Sequence, residues 1–400
     1  MSRAAKLIMT TAQNNNKYYD MVEEGGNLYV TYGRVGVTEQ KKTYPASKWD
    51  SIYKSKIKKG YKDVTELRCE ISTVDFADIG DKSISAFVNE LQRYAKGSVA
   101  KNYTISSEAV TQQQVDEAQK ILDKLSNLSS KRRIDWQGFN DLLLELYQVI
   151  PRRMTHVQDH LLGSDKTEWK KRSKELVEEE QNTLDVMAGQ VKVNSAQQNQ
   201  TKDDHTTILE AMGLEILPVD ADDVETIKRE LGGMKGNYIR AFKVVNKRTQ
   251  TKFDTFVDKR KNKKRKLFWH GSRNENWWSI LESGLVLRPS NAVKTGSMFG
   301  HGLYSADRAK KSYGYTSCQG SYWARGNSSK GFMGLFEVHL GQQLVVSRHE
   351  GWMSSLTEKN LKAKGDYDSL FAKKGQSLYN NEYVVYREEQ MTIKYIVEIR

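Results

Sequence analysis

The chain has 400 residues, too many for one ordinary core, so two or three domains are expected. With 20 Tyr and 8 Trp it carries enough apolar and aromatic surface to exclude global disorder, while no stretch approaches the roughly 20 apolar residues of a membrane span and the first residues lack a secretory pattern. The net charge of +13, from 63 basic and 50 acidic residues, favours a polyanionic partner, and two distant cysteines without metal-ligand spacing, Cys69 and Cys318, fit a reducing compartment and no thiolate zinc site.

The first eighty residues are β-rich. The segments KYYDMVEE and NLYVTYGRV alternate large and polar residues around Gly25-Gly26, a hairpin signal, and QKKTYP extends the pattern as far as Pro45. Helical spacing then takes over: Trp49, Ile52, Tyr53 and Ile57 form a stripe, with Ser47 as cap and Gly60 as stop. From Ser83 to Val191 the period is helical throughout. Ile84, Phe87, Val88, Leu91 and Ala95 make one stripe, and Val115, Ala118, Ile121, Leu122 and Leu125 another. WQGFNDLLLELYQVIP and the charged EWKKRSKELVEEEQNTLDVMAGQV complete a helical bundle. KVNSAQQNQTKDDHT is almost devoid of apolar residues and has the composition of a linker. Beyond Thr206 the pattern is mixed, and GLFEVHLGQQLVV, NEYVVYREEQ and TIKYIVEIR are strand-like.

The chemistry of the last third centres on a few side chains. A lone histidine in an apolar stretch, such as His270 in KLFWHGSRNENW, is usually a satisfied core residue. Here Gly271 and Ser272 add a backbone amide and a hydroxyl beside it, and a glycine-rich stretch leads to Tyr304 and Tyr315, whose faces would cover a ligand. Glu382 stands in a strongly apolar strand; it either faces solvent at an edge or points inward toward a partner such as a hydroxyl. Spacing alone leaves these groups as an aromatic-walled polar site whose ligand is open.

FWHGSRNENWWSILESGL, TGSMFGHGLYSADRAKKSYGYTS and YNNEYVVY together resemble the catalytic domain of the poly(ADP-ribose) polymerase family, in the family's order and spacing. Upstream, LLLELYQVIP is similar to that family's helical regulatory domain. Tyr32-Gly33-Arg34-Val35-Gly36 is similar to its nucleic-acid-binding WGR module, with Tyr32 in place of the signature tryptophan, in a form closest to compact bacterial-type members. The resemblance implies a multidomain α+β protein: a small β-rich WGR module over 1–80, an all-α bundle over 83–192, a linker over 193–206, and over 207–400 a mixed α/β transferase fold with antiparallel sheets.

The same resemblance assigns roles. NAD+ would be the substrate, with no metal required. His270 would hold the donor through a ribose hydroxyl. Gly271 and Ser312 would grip the nicotinamide carboxamide, with Tyr315 stacked on the ring and Tyr304 as the opposite wall. Ser272, Arg273 and Asn276 would lie near the adenosine, and Glu382, with Lys311 beside it, would serve catalysis. The lysine-rich segment from Lys41 to Lys62 has eight lysines against one acid, Asp50. On charge alone it is a solvated helix face. The WGR resemblance instead turns Lys41, Lys42, Lys48, Lys56 and Lys59, with Tyr32, toward DNA strand breaks, and Arg34 toward either DNA or the bundle.

Some positions depart from the family pattern. Ser297 stands where many members have tyrosine. Val286 stands where an arginine is common, with Arg288 two residues on. Asn380 stands at a tyrosine position linked to branching, with Tyr379 shifted by one. KRKNKKRK, Lys259 to Lys266, placed between two catalytic-domain strands, is a solvated loop or a nucleic-acid patch. His205, His301, His339 and His349 lack metal-ligand company.

The expectation is an intracellular, monomeric, DNA-damage-stimulated ADP-ribosyltransferase, nuclear in a eukaryote and cytoplasmic in a bacterium. It would modify proteins, itself included, elongate poly(ADP-ribose), and be restrained by its helices until DNA binds. The alternatives are a mono-ADP-ribosyltransferase or NAD+ hydrolase, and a catalytically inactive DNA-binding scaffold.

Overall fold

The computed structural model describes residues 3–35, 39–65, 75–200, 206–287, 298–318, 320–321, 324–325 and 328–400. Ser297, Arg288, Gly36, Cys69 and His205, singled out above, lie outside these. The architecture is mixed α and β, in keeping with a multidomain α+β chain. Two compact units divide the described residues: one takes those up to 65 and those from 96 to 194, the other takes 75–95 and those from 195 onward.

In the first unit, strands β1 (Ala4–Thr11), β2 (Asn15–Glu24), β3 (Asn27–Arg34), β4 (Gln40–Pro45) and β5 (Lys62–Asp63) form an antiparallel sheet in the order β4-β3-β2-β1-β5. The β2–β3 turn is Gly25-Gly26 with φ of 57° and 80°, the two-residue geometry whose twist matches the flanking strands and which glycine adopts without strain. The composition did not single out β1, yet its Ala5 and Leu7 are core residues alongside Met21, Leu28 and Val30. Helix α1 (Trp49–Lys58) buries Trp49 against this core. Ser47 is not its cap, because a 3-10 turn over Ala46–Lys48 precedes the helix and no side chain caps it. Ile57, eight residues and so about 80° of helical rotation from Trp49, has turned out to solvent.

Helices α2 (Lys82–Asn102), α3 (Gln112–Ser130), α4 (Trp136–Val149) and α5 (Trp169–Gln198) follow. The predicted stripe Val115, Ala118, Ile121, Leu122 and Leu125 is buried on α3, which a Thr111–Gln114 capping box starts. Helix α5 runs six residues into the stretch read as linker, because Val193 and Asn194 are still buried.

Within the first unit a buried ion pair ties sheet to helices. The Arg152 and Glu180 side chains are 8% and 4% exposed, with Nε to Oε2 at 3.0 Å. Nη2 donates to Glu180 Oε1 at 3.1 Å, Nη1 donates to the Asn102 carbonyl at the end of α2, and the Arg152 carbonyl accepts from the fully buried Asn16 of β2. Burial opposes the charge on Arg152, but Glu180, with smaller help from Tyr103 and Tyr147, holds the guanidinium above its ordinary range.

The second unit contains short α6 (Ile208–Ala211), β6 (Leu214–Pro218), α7 (Ala221–Leu231), β7 (Tyr238–Asn246), α8 (Lys247–Asp258), β8 (Arg265–Ser272), α9 (Trp277–Ser283), β9 (Leu303–Ser305), α10 (Ala309–Tyr313), β10 (Gly331–His339), β11 (Gln343–Val346), α11 (Glu358–Ala363), β12 (Ser369–Ala372), β13 (Glu382–Val385) and β14 (Met391–Ile399). One antiparallel sheet runs β6-β7-β14-β10-β8 and a second runs β11-β12-β13-β9. In the second sheet β11 and β12 are parallel and the other pairs antiparallel. The basic run KRKNKKRK leads from the end of α8 into the first two residues of β8, so a helix and a strand flank it, not two strands.

The first half of α2 belongs to this second unit. Phe87 stacks on Phe242 of β7 at 4.6 Å and meets Phe332 of β10 edge-on at 5.7 Å. Glu90, 9% exposed, takes ion pairs from Lys330 at 2.6 Å and Arg240 at 3.3 Å, and both cations also bind Glu398 of β14.

Removing one member of a buried ion pair strands the other charge. Glu180→Gln is therefore expected to lower stability by about 3–5 kcal/mol, whereas Lys41→Ala, which breaks an exposed pair with Glu39, changes it by less than about 1 kcal/mol. Chemical denaturation of the two variants checks this, and equal effects would rule out a structural role for the Arg152–Glu180 pair.

Candidate active site

Strand β8 ends in His270-Gly271-Ser272, paired with Gly334, Met333 and Phe332 of β10. The neighbouring Trp269 is buried in the core, and alternation leaves His270 partly exposed. Its ring meets Trp277 at 6.4 Å and Phe336 at 6.0 Å, both edge-on, so two aromatic walls fix its orientation.

Gly271 is a packing necessity. A Cβ here would run into the backbone carbonyl of Ser312, so only glycine lets β8 lie against α10 this closely. Ser312 is buried, and its carbonyl accepts the Tyr315 N–H at 3.0 Å. Tyr315 is 55% exposed. Ser272 accepts from the Asn276 side chain at 3.0 Å, and Arg273 is tied to Glu275 at 2.7 Å.

Among the described residues, the two sheets of this unit meet at the isolated backbone pair Trp269 with Ala306, joined by hydrogen bonds of 2.9 and 3.1 Å. Ala306 follows β9, which on its other edge pairs Ser305 with Tyr383, Tyr304 with Val384 and Leu303 with Val385. Glu382, the first residue of β13, therefore lies two strand spacings from Trp269, about 10 Å across the backbone. Within β13 and β9, alternation puts Glu382 and Tyr304 on one face.

Glu382 is shielded rather than solvent-facing. Its side chain is 15% exposed and its Oε1 lies 2.6 Å from Lys311 Nζ, itself 18% exposed, on α10. The Tyr304 hydroxyl accepts from Phe299 N–H at 3.0 Å and donates to the Gly300 carbonyl at 2.9 Å. Burial raises the Tyr304 pKa, the Phe299 hydrogen bond offsets part of this, and Glu382 adds to the rise. The phenol therefore stays protonated and supplies shape, not a titrating group. Two residues not singled out from the sequence complete the surroundings. Asp307 accepts from the Asn381 side chain at 2.9 Å and lies 3.4 Å from the Tyr383 hydroxyl. Burial and then Asp307 push the Tyr383 pKa up to about 12. Both residues lay inside quoted motifs; no local pattern joins them, since Tyr383 pairs with Ser305 in the β9–β13 ladder while Asp307 lies two residues beyond it.

In the first unit Arg34 is committed to protein. Its guanidinium donates to the Asn14 carbonyl at 2.7 Å, the Asn14 side chain at 2.9 Å and the Thr155 carbonyl at 2.8 Å. Lys56 sits over the Tyr19 ring at 3.6 Å, where burial and then Lys59 lower its pKa. Tyr32 is half-buried and packs on Tyr19 at 5.5 Å. Lys41, Lys42, Lys48 and Lys59 are exposed.

Residues 222–400 match the family model described as the poly(ADP-ribose) polymerase catalytic domain. An uncharacterised protein, 101L, of Invertebrate iridescent virus 6 is 36% identical over 200 residues, covering 50% of this chain and 82% of that protein. The putative poly [ADP-ribose] polymerase-like protein 100L of the same virus is 32% identical over 153 residues, covering 37% of this chain and 77% of that protein. Poly [ADP-ribose] polymerase 2-A of rice (Oryza sativa subsp. japonica) is 25% identical over 411 residues, covering 93% of this chain and 56% of the rice protein. No helix among the described residues is long and apolar enough to cross a membrane. With this match resting on the domain that carries His270, Tyr304 and Glu382, the chain belongs to the poly(ADP-ribose) polymerase family and is an NAD+ ADP-ribosyltransferase.

Proposed function

We propose that the chain transfers ADP-ribose from NAD+ to proteins, itself included, elongates the product into poly(ADP-ribose), and is held back by α2 until the first unit binds broken DNA. The observation that carries the catalytic part is the shielded Glu382 carboxylate, paired with Lys311 on the same helix that Gly271 admits against β8.

Cleaving the bond from ribose C1 to nicotinamide develops positive charge on the sugar. A carboxylate already fixed by Lys311 needs little reorientation to stabilise that charge, and it can also polarise an incoming acceptor hydroxyl. The Gly271 backbone and the Ser312 hydroxyl are assigned to the carboxamide, Tyr315 and Tyr304 to the two faces of the nicotinamide, and His270 to a ribose hydroxyl. Ser272, Arg273 and Asn276 are assigned to the adenosine end, with Arg273 reaching it only by leaving Glu275. The aromatic neighbours of His270 suit a positioning role.

Support for control comes from α2. Its first half grips β7, β10 and β14 through Phe87 and Glu90, and β10 is the strand paired with His270-Gly271-Ser272. Its last residue, Asn102, is held by Arg152. Helix α2 can therefore exist in a docked and a loosened state, and a ligand that favours the second shifts the balance. Lys41, Lys42, Lys48 and Lys59 are the lysines best placed for DNA phosphates, with Tyr32 beside them; Arg34 and Lys56 serve the unit's own structure instead.

Three measurements test this reading. Glu382→Gln is expected to abolish chain growth on labelled NAD+ before it abolishes NAD+ cleavage; long chains from that variant would remove Glu382 from the mechanism. Gly271→Ala, which forces β8 off α10, should cut kcat/KM for NAD+ by about 100-fold or more; near-normal kinetics would show that the β8–α10 contact does not shape the donor site. Glu90→Gln should raise DNA-free NAD+ turnover about 10-fold and shrink the stimulation by nicked DNA in proportion. If basal turnover stays flat, α2 is not the restraint.

A further inference from the structure

Glu382 pairs with Ala372 of β12 on one edge, but on its other edge the sheet breaks. The β9–β13 ladder has backbone pairs at Leu303–Val385, Tyr304–Val384 and Ser305–Tyr383, and then stops. Continuing the register, Ala306 would face Glu382 and Asp307 would face Asn381. Ala306 turns its hydrogen bonds to Trp269 of the other sheet instead. The next rung is made by side chains: Asn381 Nδ2 donates to Asp307 Oδ2 at 2.9 Å.

Resting on the catalytic assignment of Glu382 above, we infer that Asp307 and Asn381 are positioning residues that replace the missing backbone rung and hold the Glu382 carboxylate in its reactive place. Glu382 is bracketed between the last backbone pair and this clip. The Asn381 amide is fixed at both ends, because its Oδ1 accepts the Lys374 N–H at 2.9 Å while its Nδ2 donates to Asp307. The Asn381 carbonyl also lies 3.4 Å from the Lys311 ammonium, the group that binds Glu382. A shift of Asn381 therefore moves both the strand that carries the carboxylate and the cation that orients it. Asp307 is an anchor in turn: its Oδ2 accepts from Asn381 and lies within reach of the Tyr383 hydroxyl, while its Oδ1 is buried without a hydrogen-bond partner. A carboxylate serves here because one oxygen can accept from two donors that arrive from different residues. Holding a reacting group to within a fraction of an ångström is the usual work of such supporting contacts.

The test reverses the hydrogen bond. Asn381→Asp sets two carboxylates against each other, and adding Asp307→Asn restores a donor–acceptor pair with its direction exchanged; the carboxylate introduced at position 381 can still accept from the Lys374 amide. In the full-length chain, automodification with labelled NAD+ is expected to show kcat down by about 10- to 100-fold in N381D, with KM for NAD+ within about twofold of the parent. The double variant N381D/D307N is expected to recover kcat to within about threefold. A merely structural contact would instead lower thermal stability and move KM with kcat. An N381D variant with unchanged kcat, or a double variant no more active than N381D, overturns the proposal. Glu382→Gln is assayed alongside. If it keeps full activity, the assignment of Glu382 and the clip fall together; if it loses activity while N381D does not, the clip alone falls.

Discussion

The backbone pair of Trp269 with Ala306 joins the two sheets of the C-terminal unit, and the arrangement of the site follows from it. A strand has two hydrogen-bonding edges, and successive residues present their N–H and C=O to alternate edges. Ala306 directs its groups to β8, so β9 binds β13 only through the residues before it. The strand that carries Tyr304 thus faces Glu382 on one side and leads toward His270 on the other. A three-residue strand suffices because it is enclosed on both edges. Antiparallel closure of this kind brings residues 112 positions apart in sequence, His270 and Glu382, onto strands separated only by β9, at the cost of one irregular rung.

That geometry also explains why the charges around Glu382 are arranged as they are. A carboxylate removed from water needs a cation or hydrogen-bond donors, or it takes up a proton and loses its value as an anion. Lys311 meets that need from α10, and α10 can approach only because Gly271 has no side chain. The identity of residue 271 is therefore coupled to the charge at 382, although the two residues make no direct bond. Tyr304 follows the same logic with opposite result: buried beside the acid, with its hydroxyl already engaged at both lone pair and proton, it is kept neutral.

Much of this was legible in the sequence, for reasons that differ by element. The Gly25-Gly26 hairpin, the α3 stripe and the strands β10, β13 and β14 follow from local turn chemistry and hydrophobic period. The strand pattern around Glu382 allows both solvent and interior, since alternation cannot distinguish an edge from a cleft; only the distant Lys311 decides it. Ser47 failed as a cap because Pro45 is followed by a 3-10 turn, a choice that spacing does not encode. Composition misjudged the end of α5, where one valine and one asparagine are buried among glutamines. Arg34 and Lys56 had charge in common with the exposed lysines but not surroundings: a carbonyl cluster and an aromatic face had already claimed them. The Asp307–Asn381 bond was invisible because it depends on where a ladder stops, and that is a property of pairing, not of either segment.

Helix α2 places a second constraint on the same strands. Its Phe87 side chain lies on β7 and β10, so the helix is a packed layer of the catalytic unit and not a surface decoration. The ion cluster around it has a different character. Lys330 is partly buried, which opposes its charge, yet its hydrogen bonds to Glu90 and Glu398 raise its pKa. A cation so placed is stable only while both acids stay near. Drawing Glu90 away would leave Lys330 and Arg240 to share the single carboxylate of Glu398. The aromatic contacts and the ion cluster thus favour the same packed position of α2, one through buried rings and the other through paired charge.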